Sequence, residues 1–69
     1  MRTYKLSLKD KIYLFFQEDS IKRITYLFPK VKEHQLKWFK EEGIKIPLDF
    51  DRYIENYVEC LINDYEFRK

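Results

Sequence analysis

Apolar residues recur at three- and four-residue steps along the last third of the chain. Six positions follow this spacing: Phe50, Ile54, Tyr57, Val58, Leu61 and Tyr65. Such spacing is typical of an amphipathic helix with one buried face. Asp49 stands directly before the run and is a suitable N-terminal cap. The pattern therefore predicts a long helix over residues 50–67.

A shorter apolar pattern predicts a helix near the N-terminus. Ser7 is followed three residues later by Asp10, which is the signature of a helix start. Helical spacing then relates Leu8, Ile12, Phe15 and Phe16, and Tyr13 and Leu14 widen the same stripe. We expect a helix over residues 8–18 that buries this stripe. The alternating residues 2–8 favour a short extended segment before it.

A proline divides the pattern in the middle of the chain. Residues 21–28 carry Ile21, Ile24, Leu27 and Phe28 on one face, and residues 31–42 carry Val31, Leu36, Trp38 and Phe39. Pro29 disfavours helical geometry at the residue before it, so we expect a turn at 29–31. Gly43 stands where a left-handed cap ends a helix. The expected fold is a single all-α domain over residues 1–69, tri-helical with a long C-terminal helix.

The two central segments resemble generic helix-turn-helix DNA-binding domains. Apolar residues fill the five packing sites of that motif, which are Ile24, Phe28, Val31, Leu36 and Phe39, and the fairly small Thr25 lies beside them. Pro29 stands where the commonest version has Gly, and the turn is one residue longer. The resemblance, over residues 20–43, implies that the second helix enters the major groove of double-stranded DNA.

Basic and polar residues surround the helix that this resemblance places in the groove. The expected DNA-binding residues are Lys22, Arg23, Lys30, Lys32, His34, Gln35, Lys37 and Lys40. Lysines suit phosphates, whereas His and Gln can reach base edges. The alternative is that these residues only solvate a helix face.

The distribution of charge favours the same interpretation. The net charge is +2, but residues 1–47 hold 11 Lys or Arg against 6 Asp or Glu, and residues 48–69 hold 3 against 6. A basic front and an acidic back suit a protein that binds nucleic acid with its front.

The C-terminal helix has more apolar surface than one small core can cover. We expect Tyr53, Tyr57, Leu61 and Tyr65 to form a homodimer or partner interface, because an open apolar surface usually marks an interaction site. The alternative is that this face packs entirely on the other helices of the same chain.

Residues that carry catalytic chemistry are scarce. Cys60 and His34 are the only soft metal ligands, and the chain has one glycine, so neither a zinc site nor a glycine-rich phosphate loop is expected. We expect no enzyme activity, no metal and no cofactor. A single cysteine suits a reducing compartment, and no apolar run approaches the roughly 18 residues of a membrane span, so a cytoplasmic protein that does not enter the membrane is expected.

These observations predict a small DNA-binding protein, either a transcriptional regulator or an accessory factor of DNA replication or recombination. Two alternatives stay open. One is a protein-binding modulator that inhibits or adapts a larger partner through an aromatic helical face. The other is a single-strand binder that stacks bases on Tyr13, Tyr26 or Trp38. The absence of Ala and the abundance of Lys, Ile, Tyr and Phe suggest an AT-rich genome, such as that of a low-GC bacterium, phage or virus.

Overall fold

The computed structural model describes residues 3–68, and these residues form three helices. They are α1 (Leu8–Phe16), α2 (Ser20–Glu42) and α3 (Phe50–Arg68). No strand occurs within this range, so the predicted all-α fold with a long C-terminal helix is confirmed. Residues 3–7 have no regular secondary structure, and Arg2 of the predicted extended segment lies outside the described range. The fold measures 37 × 20 × 18 Å.

The helix boundaries follow from the capping residues. Ser7 Oγ accepts the Asp10 N–H and Asp10 Oδ2 accepts the Ser7 N–H, both at 3.1 Å, which completes a capping box at the start of α1. The Asp19 carboxylate caps α2 by accepting the N–H groups of Ile21 and Lys22. Gly43 ends α2 with φ 67°, the left-handed conformation expected of it.

The predicted turn at residues 29–31 does not form, and α2 is one helix that runs through Pro29. A proline inside a helix removes one backbone hydrogen bond, here to the carbonyl of Thr25. Because Thr25 and Pro29 both lie on the exposed side, solvent can serve that carbonyl instead. On the opposite side Leu27 and Val31 are fully buried. The burial of Leu27 and Val31, which precede and follow the proline in the chain, therefore outweighs the local preference of proline against helical geometry. The helix-turn-helix interpretation of residues 20–43 is wrong.

The core lies mainly between α2 and α3. Seven apolar side chains are buried, and α1 contributes only one of them: Leu14, Leu27, Val31, Phe39, Phe50, Ile54 and Val58. At one end of this seam the rings of Phe39, Phe50 and Tyr53 pack with centroids 5.5–5.9 Å apart. The α2–α3 pair therefore forms most of the core, and α1 packs against it.

The orientation of α1 is opposite to the one that its apolar pattern predicts. Asp10 and Leu14 are its buried residues. The expected core stripe instead points outward, with Leu8 76%, Ile12 49%, Phe15 59% and Phe16 79% exposed. The prediction that these four residues pack in the core is therefore wrong.

None of the helices in the described range is long and apolar enough to cross a lipid bilayer.

Candidate functional site

The outward side of α1 carries a continuous apolar ridge. Its four members are related by helical steps of four, seven and eight residues, so they share an arc of about 100° on the helix surface. We call this set the α1 outer face: Leu8, Ile12, Phe15 and Phe16. The rings of Phe15 and Phe16 meet edge to face, with centroids 5.2 Å apart. Contiguous apolar surface of this kind usually marks an interaction site.

A buried carboxylate holds the opposite side of α1 against the protein. Asp10 is fully buried, and its oxygens accept hydrogen bonds from Tyr4 Oη at 2.8 Å, Tyr26 Oη at 3.0 Å and Lys30 Nζ at 3.1 Å. With the Ser7 N–H these make four donors, which satisfies a buried charge. If α1 rolled to bury its phenylalanines, Asp10 would leave all three side-chain partners. The polar network therefore fixes the rotation of the helix.

The titration behaviour of this network reflects the same contacts. Burial by itself would raise the pKa of Asp10, but the hydrogen bonds from Tyr4, the Ser7 backbone, Lys30 and Tyr26 outweigh it and lower that pKa from 3.8 to about 2. Burial, together with donation to Asp10, raises the pKa of Tyr4 to about 12. Hydrogen bonds to Tyr26 and Asp10 raise the pKa of the Lys30 ammonium. Asp10 is therefore ionised and Lys30 protonated at neutral pH.

A buried arginine fixes the C-terminal end of α1. Arg23 Nη2 donates to the Leu14 carbonyl at 2.6 Å, and its Nε donates to the Gln17 carbonyl. The same guanidinium pairs with Glu66 of α3 at 2.5 Å. Cations at a helix C-terminus satisfy carbonyls that have no partner within the helix. Arg23 thus joins all three helices at this end of the molecule.

Lysines border the α1 outer face on both long edges. On the helical wheel Lys9 lies beside Phe16, and Lys11 lies beside Phe15 on the other edge. Both lysines are exposed, and among the described residues neither belongs to an ion pair. The only acid within α1 is Asp10, which points inward. The outward half of the helix is therefore apolar in the middle and positive at its borders.

Most of the predicted DNA-binding residues have structural contacts instead. Arg23 clamps α1, Lys30 serves Asp10, and Lys32 pairs with Asp51 at 2.7 Å. Gln35 is fully buried and its Oε1 accepts the Tyr53 hydroxyl at 3.1 Å, while His34 packs edge-on against Tyr4. Lys22, Lys37 and Lys40 are exposed. The eight residues therefore do not form one open surface.

The predicted interface residues of α3 are covered within the chain. Tyr53, Tyr57, Leu61 and Tyr65 are partly buried and pack against the core. The Tyr57 hydroxyl accepts the Tyr4 N–H at 2.8 Å, and the Tyr65 hydroxyl donates to the Lys11 carbonyl at 3.4 Å. The N-terminal segment and α1 thus occupy part of the surface that a dimer was expected to cover. A dimer stays a prediction, but these side chains no longer provide the reason for it.

Sequence reasoning missed the α1 outer face because it assumed that the more apolar side of a helix is the buried one. One signal was available. Lys9 and Lys11 border the apolar arc, and the acid between them lies on the opposite side of the helix. When lysines border the apolar side of a helix and an acid lies on its opposite side, the helix can bury that acid against hydrogen-bond donors of neighbouring segments.

Within residues 3–68, no group of three or more His, Cys, Asp or Glu side chains is arranged to hold a metal ion. Comparison with known proteins gives no match to a protein-family model, to a curated protein or to a solved structure. The candidate site therefore rests on the geometry described above.

Proposed function

We propose that this protein is a non-catalytic binding module that attaches to a larger protein through the α1 outer face. The observation that carries the proposal is the inverted orientation of α1, which buries a carboxylate and exposes two phenylalanines. A free helix would gain by burying those rings, so their exposure in a folded chain favours a role in binding. Such a module would inhibit or adapt the protein that it binds, in the cytoplasm, where its single cysteine stays reduced.

The shape of the face suits a partner with a groove. Leu8, Ile12 and Phe15 follow the anchor spacing with which amphipathic helices enter hydrophobic grooves. The helix is also held rigidly by Asp10 and Arg23, so little conformational entropy is lost on binding. Large aromatic side chains such as Phe16 supply much of the energy at protein interfaces through the apolar area that they bury.

The proposal is tested by quantitative affinity capture from cells of the source organism. The wild type is compared with Phe15→Ser/Phe16→Ser, which removes the anchors, and with Phe67→Ser, which removes an exposed phenylalanine on α3. We expect the recovery of at least one captured protein to fall tenfold or more with the double variant and to stay unchanged with Phe67→Ser. The purified partner should then bind wild type with 1:1 stoichiometry and lose that binding with the double variant.

Equal recovery of every captured protein by the wild type and the double variant would contradict the proposal. Circular dichroism supplies the folding control, since both variants change exposed residues and should keep the wild-type helix content.

Duplex DNA binding is the second candidate, without a helix-turn-helix. The observation in its favour is that Lys22, Lys37 and Lys40 lie exposed on the outer side of α2, over a length of about 27 Å. Phosphate contacts of this type bind all sequences and weaken steeply with salt. Fluorescence anisotropy of a random duplex at 50 and 200 mM salt tests it. Binding that is lost in Lys37→Glu/Lys40→Glu and kept in Phe15→Ser/Phe16→Ser would favour this candidate over the first.

A further inference from the structure

We infer that the partner of the α1 outer face is a protein with an apolar groove whose rim is acidic. This inference rests on the proposed function and names the chemistry of the surface that would receive the helix. It follows from three properties of the face: its lysine borders, its area and the acids that come after it in the chain.

The lysine borders determine the sign of the rim. When a helix enters a groove, its apolar anchors occupy the floor and the residues at the edges of the arc meet the rim. Lys9 and Lys11 occupy those edges and have no ion pairs among the described residues. Lys5, also exposed, adds a third positive charge before the helix. A rim of Asp or Glu would pair with these ammonium groups, whereas a basic rim would repel them.

Charge argues against a second copy of this chain as the occupant. A parallel two-fold pairing of α1 with itself brings lysine edges against lysine edges. The outward half of α1 carries no acid that could compensate. Like charges held close together across an interface cost free energy and suppress that pairing.

The area of the face argues in the same direction. With roughly 200 Å² for a fully exposed Phe and somewhat less for Leu and Ile, the exposed fractions give about 500 Å² of apolar surface. Two copies pairing only this face would bury about 1,000 Å² of apolar surface, which is at the lower limit for a stable interface. A groove that also surrounds the lysine edges buries more surface for each helix.

An anionic lipid surface fits the face less well than a protein groove. Two exposed acids, Glu18 and Asp19, come after Gln17, the C-cap of the helix. A uniformly negative surface would also meet these carboxylates at the C-terminal end of the helix. A groove on a protein can place acids only where Lys9 and Lys11 reach. The apolar arc of about 100° on nine residues is also a narrow ridge, suited to a groove.

The test is a selection from a phage-displayed helical scaffold with randomised groove and rim positions. Clones are selected on immobilised wild-type protein and counter-selected on Phe15→Ser/Phe16→Ser, so that only binders of the α1 outer face remain. We expect Asp and Glu to be enriched at least twofold at rim positions over the unselected library. These clones should bind Lys9→Glu/Lys11→Glu about tenfold more weakly than the wild type. The matched control Lys37→Glu/Lys40→Glu, equal in charge change, should bind like the wild type.

Different failures have different meanings in this design. Phenylalanine-dependent clones with neutral or basic rims, unaffected by Lys9→Glu/Lys11→Glu, would overturn the acidic rim and leave the protein-binding function standing. If no clone depends on the phenylalanines, the proposed function fails as well. Sedimentation velocity showing a wild-type dimer that Phe15→Ser/Phe16→Ser dissociates would overturn the inference in favour of a second copy. Phenylalanine-dependent sedimentation with phosphatidylcholine vesicles containing 30% phosphatidylserine (roughly the anionic surface of a cytoplasmic leaflet) would overturn it in favour of lipid.

Discussion

Two helices of this protein have similar apolar patterns and opposite orientations. In α3 the positions at four-residue steps, Phe50, Ile54 and Val58, are buried against α2. In α1 the positions at the same type of step, Leu8, Ile12 and Phe16, face solvent, and Asp10 and Leu14 are buried instead.

The difference lies in what the opposite side of each helix carries. On α3 that side offers exposed charges such as Glu55 and Glu59, which solvent satisfies. On α1 it offers Asp10, for which Tyr4, Tyr26 and Lys30 provide an arrangement of donors on neighbouring segments. An apolar pattern therefore defines the axis along which a helix is amphipathic. The hydrogen-bond partners available to its polar side decide which side of the helix is buried.

The largest effect on the free energy of unfolding is expected at the buried apolar stripe of α3. Ile54→Ala should lower the free energy of unfolding by about 4 kcal/mol, because it opens a cavity in a fully buried position. In a chain of 69 residues this is most of the available stability. Urea denaturation followed by circular dichroism measures it. A loss of about 0.5 kcal/mol or less, the range of exposed sites, would contradict the burial of this stripe.

The next effect concerns the carboxylate that orients α1. Asp10→Asn should cost about 2 kcal/mol at pH 7, because the folded-state pKa of about 2 lies below the usual 3.8. A lowered pKa stabilises the protein above pH 4 to 5, and this contribution is lost as the pH falls towards 2. The stability difference between the wild type and Asp10→Asn should therefore shrink over that window. A difference that stays constant from pH 7 to pH 2 would show that Asp10 is not ionised in this network.

Pro29→Ala tests whether α2 is continuous, with an effect of the opposite sign. Alanine restores the backbone hydrogen bond to Thr25 and removes the clash of the proline ring, so the free energy of unfolding should rise by about 1–2 kcal/mol. Thermal and urea unfolding of the two proteins measure the gain. If residues 29–31 were a turn, the same change would remove the constraint of proline on the unfolded chain and lower stability instead.

The smallest effect on stability is expected at the α1 outer face. Phe16→Ser should change the free energy of unfolding by no more than about 0.5 kcal/mol, as for other exposed positions. Leu14→Ala, on the buried side of the same helix, should cost about 3 kcal/mol. The ratio between these two values sharpens the comparison, because Leu14 and Phe16 lie only two residues apart on the same helix. Equal losses would mean that both sides of α1 are packed.

The sequence predicted the features that depend on neighbouring residues. Ser7, Gly43 and the periodic run from Phe50 to Tyr65 act over a few positions, and the helix limits that they predicted are close to those observed. Two features depend on distant contacts and were mispredicted. Pro29 is overridden by the burial of Leu27 and Val31, and the rotation of α1 is fixed by residues up to 20 positions away in the chain.

The contacts that engage part of the predicted DNA-binding set could not be foreseen for the same reason. Lysines along α2 resemble a DNA-binding surface when each is considered by its type and position alone. The structure shows that Arg23 and Lys30 are ligands for groups on α1. Their carbonyl and carboxylate partners become visible only once the helices are packed. The exposure of the phenylalanines of α1 could not be predicted either, because an apolar pattern does not show which side of a helix faces solvent.

Cysteine accessibility in a Cys60→Ser background tests the outward orientation of the α1 face most directly. Cys60 is exposed on α3, so its replacement leaves one engineered thiol in each variant. We predict that the thiol of Phe16→Cys reacts with an aromatic disulfide reagent within about tenfold of the rate in the denatured protein, since only a buried thiol is inert. The thiol of Leu14→Cys should react at least 100-fold more slowly than that of Phe16→Cys. A protected thiol in Phe16→Cys together with a reactive one in Leu14→Cys would show that α1 buries its phenylalanines and would contradict the account.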